Sequence, residues 1–100
     1  MFSNISDIQF ATLFVCAKKD KISKMLGIDM LDVNACSDII YKFIIQNKDT
    51  IWDNCSNKYD LLFDEVFFAQ TIDILKKAQK RGTNLICDFI YNEPRISFVS

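Results

Sequence analysis

The chain of 100 residues has no histidine, two glycines and one proline. Each shortage excludes a class of protein. Without histidine, the side chain best suited to proton transfer near neutral pH is missing. No Gly-rich phosphate loop and no nucleophile motif stands in for it, so no enzyme is expected. A zinc site would have to use four cysteines. The cysteines present, at 16, 36, 55 and 87, are widely spaced and include no C-x-x-C pair, whereas such sites carry close pairs. No metal or other cofactor is expected. The cysteines read as small buried hydrophobes rather than as disulfides. The shortage of glycine and proline argues against sandwiches and barrels, which need many turns.

Long apolar runs are missing too. Nothing approaches the ~18–20 residues of a membrane span. The opening "MFSNISDIQF" has neither a basic leader nor a small-residue cleavage site. The expectation is a cytoplasmic protein without membrane contact. A formal net charge of −1 and a pI of about 5.2 give no global attraction to nucleic acid. No direct nucleic-acid partner is expected.

What is present is an ordinary folding composition, 50% hydrophobic and 25% charged. No repeat or linker divides the chain. The expected architecture is a single all-α domain over 1–100, a compact bundle of four to five helices. Ser6 is placed to cap the first helix, with Asp7 in a first turn that favours acid. The apolar residues of that helix fall on most sides, as for a central helix. A short helix over 20–26 ends at Gly27. "IDMLDVNAC" reads as another, capped by Asp29. Ser37 opens a longer helix, with Ile40, Phe43, Ile44 and Ile51 on one stripe and Tyr41, Ile45 and Trp52 on a second. "NCSNK" is a turn. A last long helix over 59–81 sets Leu61, Phe68, Ile72 and Leu75 beside Phe63, Phe67, Ile74 and Ala78, and Gly82 stops it. The tail over 83–100 suits either a last helix or a short β-hairpin around "NEP".

Four constellations bear on function. "KISKMLGIDMLDVNACSDII" carries the glycine and apolar skeleton of a helix-turn-helix. Its second helix would bear Asp29, Asp32 and Asp38 and no cation before Lys42, which opposes phosphate contact. Ordinary helix packing is the expected role. Asp49/Asp53 and Asp60/Asp64 are i,i+4 pairs that share helix faces. Without histidine or a phosphate loop they suit solvated, dipole-matching or binding roles better than metal or acid–base chemistry. "KKAQKRG" reads first as compensation of the helix dipole. It becomes a phosphate-binding patch only if residues 18–24 fold beside it.

The fourth constellation is a segregation of charge. Residues 29–65 hold eight carboxylates (29, 32, 38, 49, 53, 60, 64 and 65) and three lysines (42, 48 and 58), a net of −5 in a chain of total −1. The same stretch holds Tyr41, Trp52, Tyr59 and Phe63. Carboxylates steer a cationic partner, and aromatics supply desolvated anchors. The candidate partner-binding residues are therefore Asp49, Trp52, Asp53, Tyr59, Asp60 and Asp64. The functional expectation is a small acidic binding protein that neutralises a basic protein partner, foremost an immunity protein that blocks a nuclease-type toxin. The alternatives are a helix-turn-helix DNA-binding regulator and a phage or viral inhibitor of a host nucleic-acid enzyme. Monomer and homodimer are both open, because the apolar arc over 59–81 is broad enough to bury against a symmetry mate.

Overall fold

The computed structural model describes residues 5–53 and 57–87, and for Trp52 and Asp53 the backbone alone. The described residues form an all-α bundle. Its helices are α1 (Asp7–Ala17), α2 (Lys19–Leu26), α3 (Val33–Gln46), α4 (Lys48–Asp53) and α5 (Glu65–Lys80), with a 3-10 helix, Lys58–Phe63, ahead of α5. One continuous cluster of buried side chains runs from Phe10 to Leu85.

A capping box starts α1. The Ser6 hydroxyl accepts from the Gln9 N–H at 3.2 Å, and the Gln9 carboxamide oxygen accepts from the Ser6 N–H at 3.0 Å. Phe10, Ala11, Phe14 and Val15 are wholly buried. The opposite edge, with Ile8, Gln9, Cys16 and Ala17 exposed and Thr12 and Leu13 half-buried, reaches solvent. Helix α3 lies along α1, and α2 and the 3-10 helix pack on its other sides. The Phe67 ring of α5 closes the centre. It meets Phe14 edge-on at 5.1 Å between centroids, Phe43 of α3 at 6.1 Å and Phe10 at 6.4 Å. Such ring pairs add to the gain from burial.

Glycine ends two helices as expected. Gly27 (φ 69°) and Gly82 (φ 94°) both sit in the left-handed region. The Ile28 N–H donates to the Ser23 carbonyl at 2.9 Å and the Thr83 N–H to the Ala78 carbonyl at 3.0 Å, which satisfies carbonyls left over at each helix end.

Three boundaries differ from the sequence expectation. Residues 28–32 are not helical, and Asp29 caps nothing. They run against residues 85–87. The Asp32 N–H donates to the Leu85 carbonyl at 2.7 Å and the Cys87 N–H to the Met30 carbonyl at 2.9 Å. Leu31 and Ile86 form one antiparallel bridge, and Ile28, Leu31 and Leu85 are buried beneath it. Helix α3 therefore begins before Ser37, at Val33. Asp32 is its cap and accepts from the Ala35 N–H at 3.1 Å. Ser37 is buried inside the helix, its hydroxyl donating to the Val33 carbonyl at 2.6 Å.

The second difference is a break at Asn47, whose side-chain amide donates to the Phe43 carbonyl at 3.0 Å and separates α3 from α4. The third is a break at Asp64, which divides the expected helix over 59–81. Most of the apolar arc that suggested a homodimer is used within the chain: Leu61, Phe67, Ile72, Leu75 and Ala78 are buried and Phe68 and Ile74 half-buried, while Phe63 is exposed. Of the expected turn over 54–58, Asn57 and Lys58 cap and open the 3-10 helix, and of the tail, residues 83–87 are not helical; residues 54–56, with Cys55, and those beyond 87 lie outside the described residues.

Of the cysteines described, Cys36 is buried as expected, Cys87 is half-buried, and Cys16 is exposed against expectation. Burial, with the Asp32 carboxylate adding to it, pushes the Cys36 thiol up to about 12.

Two outcomes follow from this packing. Phe67→Ala should lower unfolding stability by about 3–5 kcal/mol in urea titrations, while Phe63→Ala, at an exposed ring, should stay within about 0.5 kcal/mol of wild type. In mass-spectrometric mapping with iodoacetamide at neutral pH, Cys16 should alkylate and Cys36 should not until the chain unfolds.

Candidate functional site

The local chemistry of "NKYDLLFDEVF" sets the site. The Asn57 side chain accepts from the Tyr59 N–H at 2.7 Å and opens the 3-10 helix. A 3-10 helix has three residues per turn, so its side chains fall out of phase with an α-helix. Leu61 points inward, 3% exposed, and Phe63 is left 81% exposed. Asp64 then leaves the helix altogether, with φ −86° and ψ 115°. Its carboxylate accepts from the Phe67 N–H at 3.0 Å and caps α5. The restart turns Phe67 into the core and leaves Val66 69% exposed. Asp60, Asp64 and Glu65 are exposed around these two apolar side chains.

Helix α4 borders this corner. Asn47, Thr50 and Ile51 line one hollow together with Asp64 and Val66. Asp49 lies in the adjoining polar hollow, which Thr50 also lines. Among the residues expected to bind a partner, Asp60 and Asp64 thus sit in the corner and Asp49 at its edge. Tyr59 is half-buried. The side chains of Trp52 and Asp53 lie outside the described residues. Asp60 and Asp64 do not share an α-helical face, because one belongs to the 3-10 helix and the other to the cap.

Sequence reasoning missed Val66, counted Glu65 among the acids without making it a site residue, and placed Phe63 both in the apolar arc and among the available aromatics. A signal was present. Asp followed directly by Glu is a helix start in its own right, and "FDEVF" places one at Asp64.

Asp7 holds the surroundings of the corner in position. Its carboxylate lies 2.9 Å from the Lys58 ammonium at the start of the 3-10 helix and 3.4 Å from that of Lys48 at the start of α4. Lys58 also donates to the Ile5 carbonyl at 2.6 Å. The Asp7 side chain is only 11% exposed. Burial pushes its carboxyl up, but Lys58 and then Lys48 pull harder the other way, and the net pKa lies below the ordinary value.

The stretch read as a helix-turn-helix has a different geometry. After Gly27, residues 28–32 form the non-helical connection described above rather than a tight turn. Helix α2 packs mainly on α5, and α3 mainly on α1. Asp38 pairs with Lys42 on its own helix at 3.1 Å. Among the described residues, no helix is long and apolar enough to cross a membrane.

No family model, no curated protein and no solved structure matches this chain at a significant level.

Replacing Asp7 tests the fastening. A carboxylate with a lowered folded pKa stabilises the fold fully above its unfolded value of 3.8, and that contribution fades as pH falls through the lower folded value. Asp7→Asn should therefore cost about 1–3 kcal/mol at neutral pH. The gap to wild type should close in acid, below pH 3.8, in urea titrations run across pH.

Proposed function

We propose that this chain is a small binding protein that neutralises a basic partner protein, in the manner of an immunity protein covering the working surface of a nuclease-type toxin. One observation carries the reading. Phe63 is 81% exposed and Val66 69% exposed in a corner whose carboxylates, Asp60, Asp64 and Glu65, are exposed with them. An isolated chain gains nothing by keeping an aromatic ring in water. An interface gains a large desolvated anchor at its centre and a charged rim. The sign of the rim selects the partner. Carboxylates draw in a cationic surface and repel an anionic one, and an enzyme that handles nucleic acid presents a cationic groove.

The anchor also has support. Phe63 follows a helical turn held by buried Leu61 and precedes the cap of α5, so little ordering remains to be done on binding. Asp60 lies just before the ring, Asp64 and Glu65 just after it, and Asp49 at the edge of the hollow behind them. A phage or viral inhibitor of a host nucleic-acid enzyme would use the same surface and differ only in its partner. A helix-turn-helix regulator draws less support, because α2 and α3 lack the tight turn such a motif needs.

The experiment is affinity capture from the source host with the tagged chain, followed by mass spectrometry. Wild type should retain a basic, nucleic-acid-handling protein. Phe63→Ala combined with Asp60→Lys should lose it without loss of thermal stability, and retention by wild type should weaken as salt rises. Equal recovery of that protein by wild type and double variant would overturn the reading.

A further inference from the structure

The hollow between α4 and the start of α5 has a chemistry of its own. Buried Ile51, Leu61 and Phe67 make an apolar floor, and the half-buried Phe43 ring and the exposed Val66 side chain wall it. The rim is polar, with Asn47, Thr50, Asp64 and Gln70 all exposed. The hollow measures about 200 Å³. Small-molecule sites run to roughly 300–1,000 Å³, so a single side chain fits this one better.

Among the described residues that line the hollow, Asp64 carries the only formal charge. Lys48 lines the adjoining hollow instead, and its ammonium lies 3.4 Å from Asp7. Lys18 stands 6.0 Å from the Phe63 ring centre and lines neither hollow. The Asp64 carboxylate uses Oδ1 for the cap of α5, and a carboxylate has acceptor positions on both oxygens. Asn47 spends an amide hydrogen on the Phe43 carbonyl, which leaves its side-chain oxygen as an acceptor. Gln70 supplies a second carboxamide.

An arginine side chain matches each part. Its methylene stem suits an apolar wall. Its planar guanidinium presents five donors in a fork and stacks on aromatic faces. Lysine has three donors on a compact, strongly hydrated ammonium, which gives up more on leaving water. Arginine is also among the residues that dominate binding energy at protein interfaces.

We propose that the hollow receives an arginine side chain of the basic partner, with the guanidinium on Asp64, Asn47 and Gln70 and the stem along Val66. This occupant presupposes that the corner docks a basic protein, and it names the side chain which that protein presents beside Phe63.

Titration of the isotope-labelled chain with N-acetyl-arginine methylamide, followed by NMR, tests the hollow without the partner. The amide signals of Asn47, Val66 and Gln70 should shift and saturate at about millimolar concentrations. The lysine analogue should bind more weakly, and the uncharged citrulline analogue should shift nothing. Asp64→Asn keeps a good cap for α5 and should weaken arginine binding by about fivefold, the upper end for an exposed ion pair. Gln70→Lys brings a cation into the hollow from an exposed helical position and should abolish the shifts. Equal shifts with the citrulline analogue would overturn the proposal. So would shifts unchanged in Gln70→Lys, or no saturable shift with the arginine derivative. None of these outcomes alters the capture that depends on Phe63, so failure here and failure of the capture are read separately.

Discussion

The structure depends on one constraint, that α1 carries apolar residues around most of its circumference. A helix of this kind cannot sit on a surface. It needs neighbours on several sides, and the other elements are those neighbours. Helix α3 covers one flank, α2 and the 3-10 helix cover others, and the Phe67 ring of α5 closes the centre against Phe10 and Phe14. The ring positions are strict because interiors pack at crystal density. Moving α5 by one residue would take Phe67 out of the cluster. That demand reaches the surface, since Phe67 can face inward only if the helix restarts at Asp64. The restart leaves Val66 outside, and Phe63, in the 3-10 helix before it, is outside too. The exposed corner is therefore partly a consequence of the core.

The electrostatics of Asp7 connect the same two levels. A carboxylate this deep would be costly by itself. It becomes favourable because two lysines from separate elements converge on it, and each opens one of the short helices flanking the corner. The interaction joins α1, α4 and the 3-10 helix at their starts. It has geometric value beyond its contribution to stability, because short helices of this kind have little stability of their own.

Much of the fold was legible in the sequence, and the failures share a cause. Ser6, Gly27 and Gly82 end helices through local chemistry, and all three act where the sequence placed them. The stripes of α3 and α5 were legible from their period. What was not legible depended on distant partners. Residues 28–32 lack helix because residues 85–87 pair with them, more than fifty positions away in the chain. Ser37 and Asp29 are reasonable caps in isolation and lost to Asp32, which that pairing places. The break at Asp64 was the one miss with a local signal. Of the residues expected to bind a partner, Asp60 and Asp64 come together in one exposed corner with Asp49 at its edge. Asp60 and Asp64 were identified for their charge, whereas the exposure of Phe63 and Val66 follows from a change of helical phase that hydrophobic periodicity cannot register.

Charge is where the sequence total misleads most. A net of −1 suggests indifference to any charged partner. At physiological salt, however, exposed charges farther apart than about 8 Å are largely screened from one another. A partner responds to the charges within that reach, not to the sum. Folding has sorted them along α5. Asp60, Asp64 and Glu65 gather at its start, where Lys21 of α2 stands over Phe68, while Lys76, Lys77 and Lys80 lie toward its end. Part of this order is the helix dipole, which favours acid at the first turn and cations at the last. The dipole acts only within a turn of each end, so it explains neither the lysines of α2 nor the aromatic ring among the acids. Those come from tertiary packing. Helix α2 packs on α5 and on α1 and buries Ile22, and its lysines come with it.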